Sequence, residues 1–355
     1  MYRRFWIVAL TLALFAIPLT SAFAQDGSSA IHKLDISRLR HEYQGWNNCG
    51  PTTLTMGLSY YGYTSDQNPA ALFLKPHRED KNVSPEEMVA YVNEEVPNTL
   101  ALYRPGGDLE LIKSLLAADF PVIVEKGYEP EGYEWMGHYL LLIGYNDDEG
   151  YFYTYDSFSG HGNFQGLHES YDHLTEYWWH FSNTFIVIYT PDREAELMTV
   201  LGDRADLTTA YQLMAQTAVE RLQLDSNDTW AWFNVADALT ELGQYEQATQ
   251  YFRVAIEKGL PWRTMWYRHT PFEAFYQAGY FDKVLELVSI NLANTPYVEE
   301  WYYYRGLVYA SRGQSDQARA EFNTALQYNK NDDETIEALA ELDNGTFQVV
   351  AEATQ

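Results

Sequence analysis

The chain has 355 residues, a length typical of two domains, and its 46% hydrophobic and 21% charged residues indicate a folded protein rather than a disordered one. Its 50 acidic residues outnumber the 23 basic ones, which gives a net charge of -27 at neutral pH. A surface this acidic repels phosphate groups, so we expect no nucleic-acid partner and no binding to anionic membranes. The single cysteine excludes an intramolecular disulfide.

The first 24 residues have the order of a secretory signal peptide. Two arginines precede an apolar run from Phe5 to Thr20, and the small residues Ala22 and Ala24 follow it. We therefore expect cleavage after Ala24 and export to an extracellular, periplasmic or cell-envelope location. The alternative is an uncleaved anchor, because the run approaches the ~20 apolar residues that cross a bilayer. Only in that case does the sequence predict a membrane attachment.

The lone cysteine lies at the start of a predicted helix. Leu54, Leu58 and Tyr61 recur at helical spacing after Cys49. Backbone N–H groups at a helix N-terminus stabilise a thiolate, so Cys49 is a candidate nucleophile. A packed structural thiol is the alternative. Gln44, in the loop that leads to the helix, is a candidate donor to an oxyanion beside the sulfur.

Two helices, a strand and a loop are predicted next. Ser84 opens a helix with a capping box, and Asp108 caps a helix that runs through Leu116. Residues 121–124 are typical of a short buried strand. The acidic and aromatic segment 127–135 is either a wall of a substrate cleft or a solvated loop.

Residues 137–145 and 151–156 predict a β-hairpin. With its turn centred near residues 147–148, His138 and Asp156 lie opposite or nearly opposite each other on one face. Facing residues in a hairpin have Cβ atoms roughly 4.5–5.5 Å apart. His138 is therefore a candidate general base and Asp156 a candidate orienter of its ring. A hydrogen-bonded sheet histidine and an aspartate that caps the next turn are the alternatives.

Taken together, these motifs resemble a known family, the C39-like peptidases, the stand-alone form of the peptidases that cleave double-glycine leaders. The resemblance covers roughly residues 32–190. It implies an α+β papain-like cysteine peptidase domain in which Cys49 is the nucleophile, His138 the general base and acid, and Asp156 the orienter. It also implies that Gln44 supplies the oxyanion donor. The leader-cleaving members are fused to export machinery, and no transporter segment follows in this sequence, so the resemblance leaves double-glycine specificity open.

Other chemistry has weaker support in this region. Four histidines are spaced 7, 5 and 7 residues apart, which matches no familiar zinc pattern: His161, His168, His173 and His180. There is no glycine-rich phosphate loop. We therefore expect no metal and no cofactor. Residues 185–189 are predicted to form the last strand of the domain.

Residues 195–342 are predicted to form an all-α tetratricopeptide-repeat solenoid. Gly243, Gly279 and Gly313 are 36 and 34 residues apart, which is the period of this repeat. The predicted repeats lie near 229–262, 265–298 and 299–332. An irregular helical bundle is the alternative.

We expect both ends of the repeat stack to be closed by helices. Helical residues from about 195 to 224 would pack on the first repeat, and residues 333–342 on the last. The repeats either bind a protein or peptide partner or only brace the first domain. Residues 343–355 are predicted to be a frayed tail.

The leading functional hypothesis is an exported cysteine peptidase that hydrolyses peptide bonds in a peptide or protein substrate. An amidase or acyl transferase, including a transglutaminase-like enzyme, would use the same triad. A third hypothesis is a non-catalytic peptide-binding protein. The triad alone does not distinguish the first two, since both pass through an acyl-thioester.

Overall fold

The computed structural model describes residues 30–353, so the signal-peptide prediction for residues 1–24 lies outside the described part of the chain. Two hydrophobic cores divide the described residues into an N-terminal α+β domain and a C-terminal helical domain. Within residues 30–353, no helix has both the length and the apolar character needed to cross a bilayer.

The N-terminal domain is built on a seven-stranded sheet in which every pairing is antiparallel. Its strands are β1 (Ile31–Lys33), β2 (Leu100–Arg104), β3 (Val122–Tyr128), β4 (Met136–Asn146), β5 (Tyr151–Tyr155), β6 (Leu167–Ser170) and β7 (Phe185–Tyr189). The strand order is β2-β7-β3-β4-β5-β6, with β1 also paired to β4. The predicted hairpin is β4–β5, and the predicted strand at 185–189 lies inside the sheet between β2 and β3.

Six helices accompany the sheet: α1 (Cys49–Ser59), α2 (Gln67–Leu74), α3 (Pro85–Glu95), α4 (Leu109–Ala117), α5 (Tyr171–Trp178) and α6 (Glu194–Leu201). All eleven residues of α1 are buried. Close packing of α1 needs a glycine at position 50, because a Cβ there would lie 2.3 Å from Cγ2 of Val83. As predicted, Ser84 forms the capping box of α3 and Asp108 caps α4.

The C-terminal domain consists of helices joined by short turns. They are α7 (Leu207–Leu224), α8 (Thr229–Glu241), α9 (Tyr245–Lys258), α10 (Thr270–Gln277), α11 (Phe281–Leu292), α12 (Glu299–Ser311), α13 (Ser315–Tyr328) and α14 (Asp333–Asn344). The pairs α8–α9, α10–α11 and α12–α13 fall within the three predicted repeats. Small side chains let paired helices approach closely. The four alanines predicted at such positions are fully buried: Ala248, Ala255, Ala318 and Ala325.

Two predictions about the ends of the repeat domain are wrong. Of the two helices between residues 194 and 224, α7 packs against α8 of the first repeat, whereas Leu197 and Leu201 of α6 belong to the core of the N-terminal domain. The described part of the C-terminal tail is not frayed. Phe347 packs on the repeat core, and the N–H of Ala353 donates to the carbonyl of Gly279 at 3.0 Å. Apolar side chains that find a groove between helices account for this docking.

The two domains touch at several places. Arg268 of the repeat domain donates to the carbonyl of His180 and to the hydroxyl of Ser182, at 2.8 and 2.9 Å. At the far end, Nδ2 of Asn331 donates to the carbonyl of Phe73 at 2.8 Å. Between these contacts, Tyr267 packs so closely on β4 that a Cβ at Gly137 would lie 2.7 Å from its ring. The repeats therefore contact the strand that carries His138.

Candidate active site

Three of the sequence-predicted residues come together, with His138 between Cys49 and Asp156. The Cys49 thiol and the His138 ring are close enough for each to shift the pKa of the other. On its other side, Nε2 of His138 lies 3.0 Å from Oδ1 of Asp156. The exposed fractions of Cys49, His138 and Asp156 are 9%, 4% and 6%, so all three residues are buried.

Cys49 is the first residue of α1, as the sequence predicts. Backbone N–H groups in a first helical turn have no partner within the helix. The backbone N–H groups of Gly50 and Tyr139 lie near the sulfur and help to lower the pKa of the thiol. The helix start and strand β4 thus both place backbone donors near the same sulfur.

The β4–β5 hairpin explains how His138 and Asp156 meet. Leu141 pairs with Tyr155, so the register places Leu140 opposite Asp156, one residue past the end of β5. His138 therefore lies on the same face as Asp156 but two residues along the strand. This diagonal placement falls within the predicted "opposite or nearly opposite" range, and side chains bridge such an offset.

Asp156 is held by its own turn. Its Oδ1 accepts hydrogen bonds from the backbone N–H groups of Phe158 and Ser159, at 2.7 and 3.0 Å, besides the contact with His138. Nε2 of His41 lies 2.9 Å from the Asp156 carbonyl oxygen. Burial raises the pKa of the Asp156 carboxyl, but the charge of His138 and these hydrogen bonds outweigh burial and hold the pKa well below its usual value.

The electrostatics favour an ion pair between Cys49 and His138. Burial alone raises the pKa of Cys49, but the hydrogen bond and charge of His138 and the backbone donors outweigh it, so the pKa is lowered. Burial lowers the pKa of His138, but the Asp156 carboxylate and the Cys49 sulfur raise it to about 9. A thiolate beside an imidazolium is the nucleophilic form of such a pair.

Gln44 lies beside the same turn. Its Oε1 accepts a hydrogen bond from the Ser157 hydroxyl at 2.8 Å, and its backbone N–H donates to the Ser157 carbonyl at 2.9 Å. The amide oxygen is therefore occupied, which leaves the Nε2 group of Gln44 as the donor of that side chain. The role of Gln44 as oxyanion donor stays a prediction.

Gln67 of α2 is a positioning residue that the sequence analysis missed. It is buried, and its Oε1 accepts hydrogen bonds from Gly45 N–H at 2.7 Å and from Asn48 Nδ2 and Thr52 Oγ1 at 2.9 Å. Its Nε2 donates to Glu42 at 2.7 Å. One amide thus fixes the loop that carries Gln44 to the helix that carries Cys49. The interaction spans about twenty residues, and no local pattern signals it.

Tyr128 was also missed as an individual residue, although it lies in the segment 127–135. Its ring stacks on His138, with ring centroids 4.8 Å apart. Its hydroxyl lies 3.3 Å from the hydroxyl of Ser159. Because Tyr128 is the last residue of β3, only residues 129–135 form a loop. The aromatic residues of segment 127–135 were the sequence feature that could have indicated a contact with His138.

The four histidines set aside in the sequence analysis do not converge. Within residues 30–353, no group of three or more histidine, cysteine or acidic side chains is arranged to hold a metal ion. His180 is half-buried against Trp135, whose indole N–H donates to its Nδ1 at 3.0 Å. Burial lowers the pKa of His180 to about 3.

Comparisons with known proteins agree with this architecture. Residues 33–186 match the model of the Peptidase_C39 like family, and residues 231–257 and 299–332 match two tetratricopeptide-repeat models. The chain therefore carries a C39-like domain followed by tetratricopeptide repeats. The predicted recognition and fold class, a papain-like α+β domain before a repeat solenoid, are confirmed.

Three solved structures are similar to parts of the chain. A Bacillus anthracis protein, named as a candidate C39-like peptidase, is 17% identical, and the match covers 45% of this chain and 98% of the other with a TM-score of 0.35. The MamA RS-1 ArsTM double mutant is 16% identical over 43% and 84%, with a TM-score of 0.35. MamA from residue 41 to the end, from Desulfovibrio magneticus RS-1, is 16% identical over 43% and 85%, also with a TM-score of 0.35. No curated protein matches the chain.

Proposed function

We propose that the protein is an exported cysteine peptidase that hydrolyses peptide bonds with Cys49, His138 and Asp156. The observation that carries the proposal is the placement of His138 between Cys49, whose thiol pKa it lowers, and Asp156, whose Oδ1 lies 3.0 Å from its Nε2. The match of residues 33–186 to the Peptidase_C39 like family supports the same chemistry. Export rests on the signal-peptide order of residues 1–24.

In the proposed mechanism, the Cys49 thiolate attacks the carbonyl carbon of a peptide bond. The resulting oxyanion accepts hydrogen bonds from Nε2 of Gln44 and from the backbone N–H of Cys49. The His138 imidazolium donates its proton to the departing amine, which leaves an acyl-thioester on Cys49. His138 then takes a proton from water, whose hydroxide attacks the thioester and releases the acid product.

Asp156 keeps the His138 ring in the orientation that this cycle requires. Because Nε2 of His138 faces Asp156, the other ring nitrogen, Nδ1, is the one available to the sulfur. The stacked ring of Tyr128 covers the imidazole and limits access of water to its hydrogen bond with Asp156. These contacts fix the base before any substrate binds.

The surroundings of the site suit an extended peptide. Trp46, three residues before Cys49, is 58% exposed, and its indole N–H donates to Glu79 at 3.1 Å. Phe158, two residues after Asp156, is 52% exposed and contacts Tyr128 edge to face. Exposed aromatic side chains beside a reactive group are typical of a surface that binds a ligand. We propose that they contact substrate residues on either side of the cleaved bond.

A digest of a peptide library tests the proposal. The wild-type protein, without residues 1–24, should cleave a subset of the peptides, and Cys49→Ala should cleave none while unfolding at a similar temperature. An added primary amine separates the alternatives: an acyl transferase would yield mainly amine-ligated products, whereas the peptidase yields mainly free acids. A library that stays intact with folded wild-type protein would contradict catalysis and favour a peptide-binding role.

A further inference from the structure

A segment of the repeat domain contacts the chain just before His138. This segment, residues 262–268, connects α9 to α10. The indole N–H of Trp262 donates to Oε2 of Glu134 at 3.2 Å, and the same carboxylate pairs with Arg263 at 3.1 Å. Glu134 lies in the loop that leads into β4. The repeat domain therefore contacts the approach to His138 as well as the strand itself.

Tyr267 packs against the strand at the residue that precedes His138. A Cβ at Gly137 would lie 2.7 Å from the Tyr267 ring and 2.9 Å from Cζ of Phe181. The Tyr267 ring also meets the rings of Phe181 and Trp135 edge to face, with centroids 6.2 and 5.8 Å apart. Phe181 and Trp135 are both buried. Tyr267 is thus a side chain of the repeat domain inserted into an aromatic cluster of the C39-like domain.

This cluster supports the back of the strand that carries His138. Neighbouring residues of a strand point to opposite faces, so a Cβ at Gly137 would point away from the side of the sheet on which His138 lies. Gly137 pairs with Gly127 of β3, where a Cβ would lie 2.7 Å from Nε1 of Trp135. Paired glycines weaken a sheet, because glycine has no side chain to pack and the greatest backbone freedom. The rings packed on them, including that of Tyr267, therefore restrict the backbone next to His138.

We propose that Tyr267 is a positioning residue for catalysis, whose packing on Gly137 holds the His138 imidazole within reach of the Cys49 sulfur. The inference rests on the proposed function, because the position of His138 matters only if its ring takes part in the reaction. It also gives the repeats a role, since they complete the active site. Burial holds the pKa of the Tyr267 phenol above its ordinary value, so the side chain is neutral and acts by packing rather than by charge.

Variants of Tyr267 in the protein without residues 1–24 test the inference by two readouts. Tyr267→Ala should lower kcat about 10- to 100-fold with KM within about threefold, because a misplacement of about 1 Å in a reacting group can cost about 10²-fold. The pH at which alkylation of Cys49 reaches half its maximal rate should rise by about 0.5–1 unit, since a looser imidazole stabilises the thiolate less. Tyr267→Phe keeps the ring and should return both values to near those of wild type.

Tyr276→Ala is the matched control. Tyr276 is a buried residue of α10, its ring stacks on Phe281, and its hydroxyl lies 2.9 Å from that of Ser311, so these contacts are made within the repeat domain. Its loss should lower the unfolding temperature but leave kcat and the alkylation profile unchanged when both are measured on folded protein. Equal shifts in the two alanine variants would overturn the inference, because they would indicate only a general destabilisation of the repeats.

Gly137→Ala tests the same contact from the other side. The added methyl group should displace the Tyr267 ring and raise the pH midpoint of alkylation. Tyr267→Leu, which keeps an apolar side chain, replaces Tyr267→Ala if that protein does not fold, and should raise the midpoint by less. Because the two residues touch, the double variant Gly137→Ala/Tyr267→Leu should show less than the sum of the single effects.

The outcomes separate this inference from the proposed function. Strictly additive effects in the double variant, or an unchanged midpoint in the folded variants of Tyr267 and Gly137, would contradict the inference alone. A wild-type midpoint near 8.5, or a peptide library left intact by wild-type protein, would instead contradict the proposed function. The alkylation readout needs no turnover, so it tests the contact in either case.

Discussion

Replacement of Asp156 by asparagine isolates the electrostatic role of this residue. Asparagine keeps an oxygen for the N–H groups of Phe158 and Ser159, so the turn should survive. What is lost is the negative charge 3.0 Å from Nε2 of His138. Asp147→Asn is the matched control, because Asp147 lies at the hairpin tip and pairs with Lys113 rather than with His138.

The size of the effect follows from the pKa of His138, which the structure raises from 6.5 to about 9. That displacement corresponds to about 3 kcal/mol in favour of the imidazolium. Asp156 supplies the larger share and Cys49 the rest. Loss of Asp156 should therefore cost about 1–3 kcal/mol of ion-pair stability and reduce the thiolate population about 10- to 100-fold at mildly acidic pH.

Alkylation of the thiol measures this directly, since Cys49 is the single cysteine of the chain. The pH at which the wild-type rate reaches half its maximum should lie well below 8.5, the ordinary value for a free thiol. In Asp156→Asn it should move up by about one to two pH units. In Asp147→Asn it should not move. Identical pH profiles for wild type and Asp156→Asn would refute the view that Asp156 polarises the pair.

Three further predictions concern the surroundings of the pair. Gln44→Ala should lower kcat about 10²- to 10³-fold, as expected when an oxyanion donor is lost, while the alkylation rate stays unchanged; a parallel fall in both would contradict this role. Gln67→Ala should lower both the unfolding temperature and kcat, because two donors of the loop and one of α1 lose their acceptor; full activity would show that the loop keeps its position without Gln67. Arg268→Met should cost about 3–5 kcal/mol in denaturant unfolding because Asp237 becomes a buried unpaired charge, and adding Asp237→Asn should recover part of that loss; equal stability of the single variant and wild type would contradict the ion pair's role.

The sequence predicts the parts of the site that depend on short-range patterns. Cys49 is recognisable because helical spacing follows it, and the pairing of His138 with Asp156 follows from the symmetry of one hairpin. A bulge between Leu142 and Gly144 shifts the pairing of the residues between it and the turn, and no residue pattern predicts that shift. The predicted pairing survives because Asp156 lies on the side of the bulge near His138.

Contacts between distant segments are the part that sequence patterns do not reveal. His41 lies 115 positions from Asp156, and Tyr128 belongs to a different strand from His138. The repeat period predicts the paired helices but says nothing about where they dock. The packing of Tyr267 on Gly137 exists only because the two domains face each other, and no pattern within either domain predicts it. The docking of Phe347 on the repeats is another contact of this kind.

The proposed mechanism requires that Cys49 form an acyl-thioester with a peptide substrate. Mass spectrometry of protein quenched in acid during turnover detects this intermediate. We expect a mass increase on the proteolytic fragment that contains Cys49, equal to the acyl portion of the cleaved peptide, and its disappearance once substrate is exhausted. Peptide cleavage that continues unchanged in Cys49→Ala, with no adduct on the wild-type fragment, would contradict this mechanism.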